Sequence, residues 1–123
     1  MHRFEELEVW KKSAALSAGL YKFFIKSRDF GFRDQITRAS LSIPSNIAEG
    51  YERESRKEVI NFLLYAKGSA GELRTQIYIG IKIGYIDKTT GKKWIAEAES
   101  ISKMLQSLIN KFKGSVRNSV SIL

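Results

Sequence analysis

Apolar residues recur along most of the chain at intervals of three and four positions, the spacing that puts them on one face of an α-helix. This pattern predicts four helices, over about residues 5–27, 33–51, 56–84 and 88–113. The last helix is apolar along its whole length, at Trp94, Ala98, Ile101, Leu105, Leu108 and Phe112. None of the four shows the alternation that is typical of a β-strand.

Short connecting segments separate the four predicted helices. Helices joined in this way pack beside their neighbours in sequence, so we expect an all-α fold, an antiparallel up-down-up-down four-helix bundle. No domain boundary interrupts the pattern, and residues 1–123 are expected to form one domain. The helical pattern is lost after Gly114, and the tail, residues 114–123, is predicted to be mobile.

The second predicted helix contains the only proline of the chain, Pro44, although a proline inside a helix costs about 3 kcal/mol. A strip of polar residues runs beside its apolar face, a placement that favours ordered hydrogen bonds over a freely solvated surface. Polar residues of the third helix are expected to face this strip. We therefore predict a structural polar network across the seam, formed by Arg38, Ser42, Asn46, Glu49, Ser69, Glu72 and Gln76.

The third predicted helix is apolar on two sides. One side contains Val59, Ala66 and Leu73, and almost opposite it lie Ile60, Leu64, Gly71 and Tyr78. A helix with two apolar sides is buried on both. In a small bundle the second side would otherwise meet water, so these four residues are predicted to form a subunit interface.

The charge of the chain is strongly positive, with 21 Lys and Arg against 13 Asp and Glu, a net charge of +8 and a pI near 9.8. Such an excess is compatible with a polyanionic partner such as RNA or DNA. A solvated surface of mixed charge is the alternative for any single lysine. The candidate nucleic-acid-binding residues are Lys11, Lys12, Lys22, Lys26, Arg28, Arg33, Lys92, Lys93, Lys103, Lys111 and Lys113.

The chain lacks the residues that most catalytic sites and metal sites require. The chain has no cysteine, and its single histidine, His2, follows the initiator methionine. Glu-x-x-His pairs, phosphate loops, the dinucleotide fingerprint and the serine elbow are all missing from the sequence. A carboxylate pair formed by Glu49 and Glu72 is the remaining enzymatic alternative. We expect a protein without catalytic residues, bound metal or cofactor.

The sequence also gives no indication of a membrane. It contains no run of about 18 apolar residues of the kind that spans a bilayer. The N-terminal residues Glu5, Glu6 and Glu8 do not follow the basic-then-apolar order of a signal peptide. A cytoplasmic location and no membrane partner are therefore expected.

Several motifs together resemble one family, the bacterial four-helix bundle proteins encoded in intervening sequences of 23S ribosomal RNA genes, some of which are labelled S23 ribosomal proteins. The resemblance extends over nearly the whole chain. Its motifs are Phe4-Glu5-Glu6-Leu7-Glu8-Val9-Trp10, Arg38-Ala39, Ser42-Ile43-Pro44-Ser45-Asn46-Ile47-Ala48-Glu49-Gly50, Phe62-Leu63, Ala66-Lys67-Gly68-Ser69, Glu72-Leu73-Arg74-Thr75-Gln76 and Gly84-Tyr85. The resemblance implies a homopentamer. It also implies similarity to the accessory protein of diversity-generating retroelements, a basic bundle that binds nucleic acid and a reverse transcriptase.

Two functions fit this sequence. The first is a non-enzymatic homo-oligomer whose basic surface binds RNA or DNA. The alternative is a protein-binding scaffold with no nucleic-acid role. The segment Thr89-Thr90-Gly91-Lys92-Lys93 is more basic than the acidic helix start common in the family, so a surface shared with the family at that position is not implied.

Overall fold

The structure, a computed structural model, describes residues 3–121, and of residues 115–121 the backbone alone. Every regular element in this part of the chain is helical. A 3-10 turn precedes the helices, which are α1 (Glu8–Phe24), α2 (Phe30–Tyr51), α3 (Arg56–Lys82) and α4 (Lys88–Ser121). The prediction of an all-α chain of four helices is confirmed.

The four helices enclose one apolar core. Helix α3 packs extensively against both α2 and α4, and α1 completes the bundle through contacts with α2 and α4. Fully buried side chains come from every helix, among them Leu20, Ile43, Ile47, Leu73, Ile77, Ile101 and Leu105. These are the apolar positions at helical spacing, so the sequence periodicity and the buried face coincide.

Capping side chains fix where two of the helices begin. Ser55 accepts a hydrogen bond from the backbone N–H of Glu58 at 3.4 Å, and α3 begins at the next residue, as predicted. Asp29 accepts from the N–H of Phe32 at 3.0 Å, so α2 begins at Phe30 rather than at the predicted residue 33. At the other end of α3, Gly84 has a φ of +82°, which turns the chain out of the helix.

Helix α4 is longer than predicted. The sequence pattern indicated an end near residue 113 and a non-helical tail, but the backbone stays helical to Ser121, so this boundary is wrong. Gly114 lowers helix stability by only about 1 kcal/mol relative to alanine, and no proline follows to stop the helix. Residues 122 and 123 of the tail, and His2 at the other terminus, lie outside the described residues.

Pro44 lies inside α2, buried against α1, and the helix continues through it. One buried hydrogen bond crosses from α1 to α2 nearby, between the hydroxyl oxygens of Ser17 and Ser40 at 3.0 Å. The proline ring lines an apolar groove of about 430 Å³ that stays open between the two helices, together with Phe4, Trp10, Ala14, Tyr21, Leu41 and Ala48. We refer to this surface as the proline groove.

Helices α3 and α4 interlock where the chain turns from one to the other. The side chain of Ile86 fills the space beside Gly80, and the side chain of Ile81 fills the space beside Gly91. A Cβ atom at either glycine would overlap the terminal methyl group of the isoleucine that it faces. We call this arrangement the glycine–isoleucine interlock.

The interlock makes Gly80→Ala destabilising, although alanine favours a helix by about 1 kcal/mol over glycine. The added methyl group meets Ile86, which is 2% exposed and cannot move into solvent, and overpacking of this kind costs about 1–3 kcal/mol. Removing the clashing methyl group with Ile86→Val is expected to restore part of the loss in the double variant. Urea unfolding of the three variants measures this coupling.

Gly19→Ala in α1 is the matched control, because no atom lies within 4 Å of a Cβ built at Gly19. It is expected to stabilise the protein by up to about 1 kcal/mol. Equal effects of Gly80→Ala and Gly19→Ala would show that the interlock is not tight.

Candidate nucleic-acid interface

The two connections, α1–α2 and α3–α4, meet at one end of the bundle. The Tyr85 hydroxyl donates to the Asp29 carboxylate at 2.9 Å, and the rings of Tyr85 and Phe32 lie edge to face at 5.4 Å between centroids. The rings of Phe23 in α1 and Trp94 in α4 lie 5.0 Å apart in the same way. Residues 22–34 and 82–93 are thus held together, and we call them the connection end.

Positive charge concentrates at the connection end. It contains eight basic and three acidic residues, a net charge of +5 out of +8 for the whole chain. All the basic side chains except that of Arg33 are exposed. These basic residues are Lys22, Lys26, Arg28, Arg33, Lys82, Lys88, Lys92 and Lys93.

The three acidic residues of this end already have partners. Hydrogen bonds from the Phe32 N–H and then from the Tyr85 hydroxyl lower the pKa of Asp29. The pKa of Asp87 is lowered chiefly by the backbone N–H of Thr90, at 3.0 Å, while Asp34 pairs with Arg33 at 3.3 Å. Because Asp29 and Asp87 occupy N–H groups at the starts of α2 and α4, attraction for an anion comes from the Lys and Arg side chains.

Exposed rings lie among these basic side chains. Phe30 is 59% exposed and Tyr85 is 43% exposed. The guanidinium carbon of Arg33 lies 4.7 Å from the centroid of the Phe30 ring, within the range of a cation–π contact. Exposed rings beside Lys and Arg side chains are the combination that proteins use to contact unpaired nucleotides.

The structure divides the eleven basic residues predicted from sequence into two groups. Six belong to the connection end: Lys22, Lys26, Arg28, Arg33, Lys92 and Lys93. The other five are Lys11, Lys12, Lys103, Lys111 and Lys113. Of these, Lys11 pairs with Glu8 at 3.5 Å, and Lys111 lines a shallow groove that also contains Glu8.

Sequence reasoning missed four residues of this surface: Phe30, Lys82, Tyr85 and Lys88. Phe30 and Tyr85 fall in the predicted connections, where no helical periodicity indicates whether a ring is buried or exposed. Lys82 and Lys88 lie at a helix end and a helix start, and the two connections come together only through tertiary contacts. Their position at helix boundaries flanking predicted turns was the one signal that the sequence offered.

The predicted polar network is only partly assembled. The Ser42 and Ser69 hydroxyl oxygens lie 2.8 Å apart across the seam between α2 and α3, and the Asn46 amide donates to the Ser42 hydroxyl at 2.9 Å and to the Ser42 carbonyl at 2.8 Å. Arg38 and Glu72 line a polar groove of about 350 Å³ beside Ser42 and Ser69. This part of the network joins α2 to α3.

The two carboxylates proposed as a catalytic pair point to different partners. Glu49 forms an ion pair with Arg53, which lies just after the end of α2. Glu72 accepts from the Gln76 amide at 3.4 Å within α3 and lines the polar groove, of which Glu49 is not a part. The structure therefore does not bring Glu49 and Glu72 together, and no acid–base pair forms there.

The residues predicted to form a subunit interface lie on the outer face of α3. Leu64 is 43% exposed and Tyr78 is 57% exposed, and a Cβ at Gly71 would meet no atom within 4 Å. Ile60 is half-buried and packs against the core. Leu64, Gly71 and Tyr78 form an open stripe at intervals of seven positions, which we call the α3 stripe. Their role as a subunit interface stays a prediction.

Two classes of site are not found in the part of the chain that the structure describes. Its Asp and Glu side chains form no group of three or more that could hold a metal ion. None of the helices within residues 3–121 is long and apolar enough to cross a membrane.

Comparison with known proteins identifies a family and solved structures of similar fold. The family model of the 23S rRNA-intervening sequence protein matches residues 5–107. The fold is similar, with a TM-score of 0.77, to the crystal structure of a protein of unknown function from the S23 ribosomal protein family of Bacteroides thetaiotaomicron VPI-5482. The two are 30% identical, and the match covers 82% of this chain and 97% of that chain. A comparison with curated proteins gives no match.

Proposed function

This chain belongs to the 23S rRNA-intervening sequence protein family, and we propose that it is a non-enzymatic, cytoplasmic homo-oligomer that binds RNA or DNA through its connection end. The observation that carries the proposal is the charge of +5 at that end, where every acidic side chain already has a partner. The family name refers to an element of an rRNA gene and assigns no activity. The chemistry of the connection end is therefore the main argument.

Binding of this kind is driven by the sugar–phosphate backbone. Exposed Lys and Arg side chains displace condensed counterions from the polyanion, and the gain does not depend on base sequence. Seven exposed basic side chains are enough to contact several successive phosphates. The absence of cysteine and the position of the only histidine at residue 2 leave this end with cations and rings but no thiol or imidazole group.

Oligomer formation is the second part of the proposal. The α3 stripe and the proline groove are open apolar surfaces in the described part of the chain. Two different surfaces that bind each other on successive copies close into a ring when the rotation between copies fits. The resemblance described above implies a pentamer of bundles whose helices alternate up and down, which would carry five connection ends.

Fluorescence anisotropy of a labelled structured rRNA fragment tests the proposal. We expect binding at about 50 mM salt that weakens by two or more orders of magnitude at about 200 mM salt, as several phosphate contacts require. No binding at the lower salt concentration would overturn the nucleic-acid part. If a protein partner stays bound after nuclease treatment, the scaffold alternative, which the open apolar surfaces also support, takes its place.

A further inference from the structure

We propose that the connection end binds unpaired nucleotides, with Phe30 and Tyr85 as platforms on which bases stack and the surrounding Lys and Arg side chains as phosphate contacts. This inference rests on the proposed function and makes it more specific. It assigns the ligand class, single-stranded RNA or DNA, and the two side chains that distinguish it from a duplex.

Phe30 has the features of a stacking platform. It is the first residue of α2, directly after the cap residue Asp29, so its backbone is fixed by the start of the helix. The Arg33 guanidinium lies 4.7 Å from the ring centroid and restricts the ring, yet 59% of the residue remains exposed. A ring that is already ordered loses little conformational entropy when a base stacks on it.

Tyr85 is held just as firmly from two directions. Its hydroxyl donates to Asp29 at 2.9 Å, and its ring packs edge-on against Phe32. The residue is nevertheless 43% exposed. Asp29 therefore links the two platforms, since it precedes Phe30 in the chain and accepts the hydrogen bond from Tyr85.

The combination of rings and charge selects the ligand. A base in a duplex has both faces covered by its neighbours, whereas an unpaired base offers a face that can stack on an aromatic side chain. The net charge of +5 complements a polyphosphate chain and disfavours a basic or neutral peptide, which would have no counterpart for the exposed cations. The exposed rings and the cations together therefore match a single strand better than they match a duplex or a peptide.

Anisotropy titrations with four labelled probes at one low salt concentration test the inference. The probes are oligothymidylate, oligouridylate, an abasic oligonucleotide of the same length and charge, and a blunt duplex. We expect the oligothymidylate or oligouridylate, or both, to bind at least about tenfold more tightly than the abasic chain, because stacking contributes that much or more for each base.

The variant Phe30→Ala separates stacking from charge. It is expected to weaken binding of the base-containing strands about tenfold, and to leave binding of the abasic chain unchanged. Phe30→Trp retains a ring and is expected to retain the affinity. Tyr65→Ala is the matched control, because Tyr65 is 58% exposed in the first half of α3, away from the connection end.

The outcomes distinguish the two proposals. If every probe binds equally and Phe30→Ala has no effect while binding still falls with salt, the stacking inference is wrong and the proposed function stands. If the duplex binds more tightly than the single strands, the inference is also wrong. If no probe binds the wild-type protein, both are overturned.

Discussion

Reversing four charges of the connection end, with Lys26→Glu, Arg28→Glu, Lys92→Glu and Lys93→Glu in one variant, is expected to weaken nucleic-acid binding about 100-fold or more at low salt. All four side chains are exposed and form no ion pair in the described structure, so these substitutions remove phosphate-binding groups without disturbing the core. The salt dependence should also flatten, by roughly 0.7–0.9 in log–log slope for each phosphate that the variant no longer neutralises. Titrations at several salt concentrations measure both effects.

A second variant controls for the total charge. Lys11→Glu, Lys57→Glu, Lys111→Glu and Lys113→Glu also lower the net charge from +8 to zero, but they leave the connection end intact. We expect this variant to bind within a few-fold of the wild type. Equal losses of affinity in the two variants would mean that the overall charge, and not the connection end, attracts the nucleic acid.

Leu64→Arg combined with Tyr78→Glu is expected to dissociate the oligomer. Both positions are exposed in the single chain, so the substitutions should leave its fold intact. At an interface the same charges would be buried without partners, and an uncompensated buried charge costs about 3–5 kcal/mol. A ring repeats this cost at every subunit interface, so the total destabilisation of the oligomer is large.

Light scattering measures the result as a fall in mass towards 14.0 kDa, the mass of one chain. Ile25→Arg is the matched control, because Ile25 is 71% exposed at the connection end and lies outside both apolar surfaces. Its mass should equal that of the wild type. A wild-type protein of 14.0 kDa, or a double variant that keeps its oligomeric mass, would show that the α3 stripe is not an interface.

The four helices could be predicted because their signals are local. Apolar spacing depends only on neighbours within one or two turns, and the predicted cap at Ser55 is present. The end of α4 could not be predicted in this way, since Gly114 resembles a stop signal but costs too little to end a helix by itself.

The candidate site was predicted less completely, because it depends on which segments meet. The positive charge and six of the basic residues of the site could be predicted from the sequence. Phe30 and Tyr85 could not, because only the folded structure shows that Asp29 links them at one end of the bundle. Glu49 illustrates the opposite error. It lies on the expected polar strip, yet its carboxylate pairs with Arg53, a residue just beyond the end of α2.

The glycine–isoleucine interlock has a further consequence for the energetics of the connection end. Like charges gathered at one end repel each other, and a loose turn would relax by moving them apart. Because Ile86 and Ile81 pack tightly against Gly80 and Gly91, the backbone that connects Lys82 to Lys92 cannot relax in this way. The turn is thus ordered when the protein folds, so a polyanion that binds there does not have to offset the entropy of ordering its backbone.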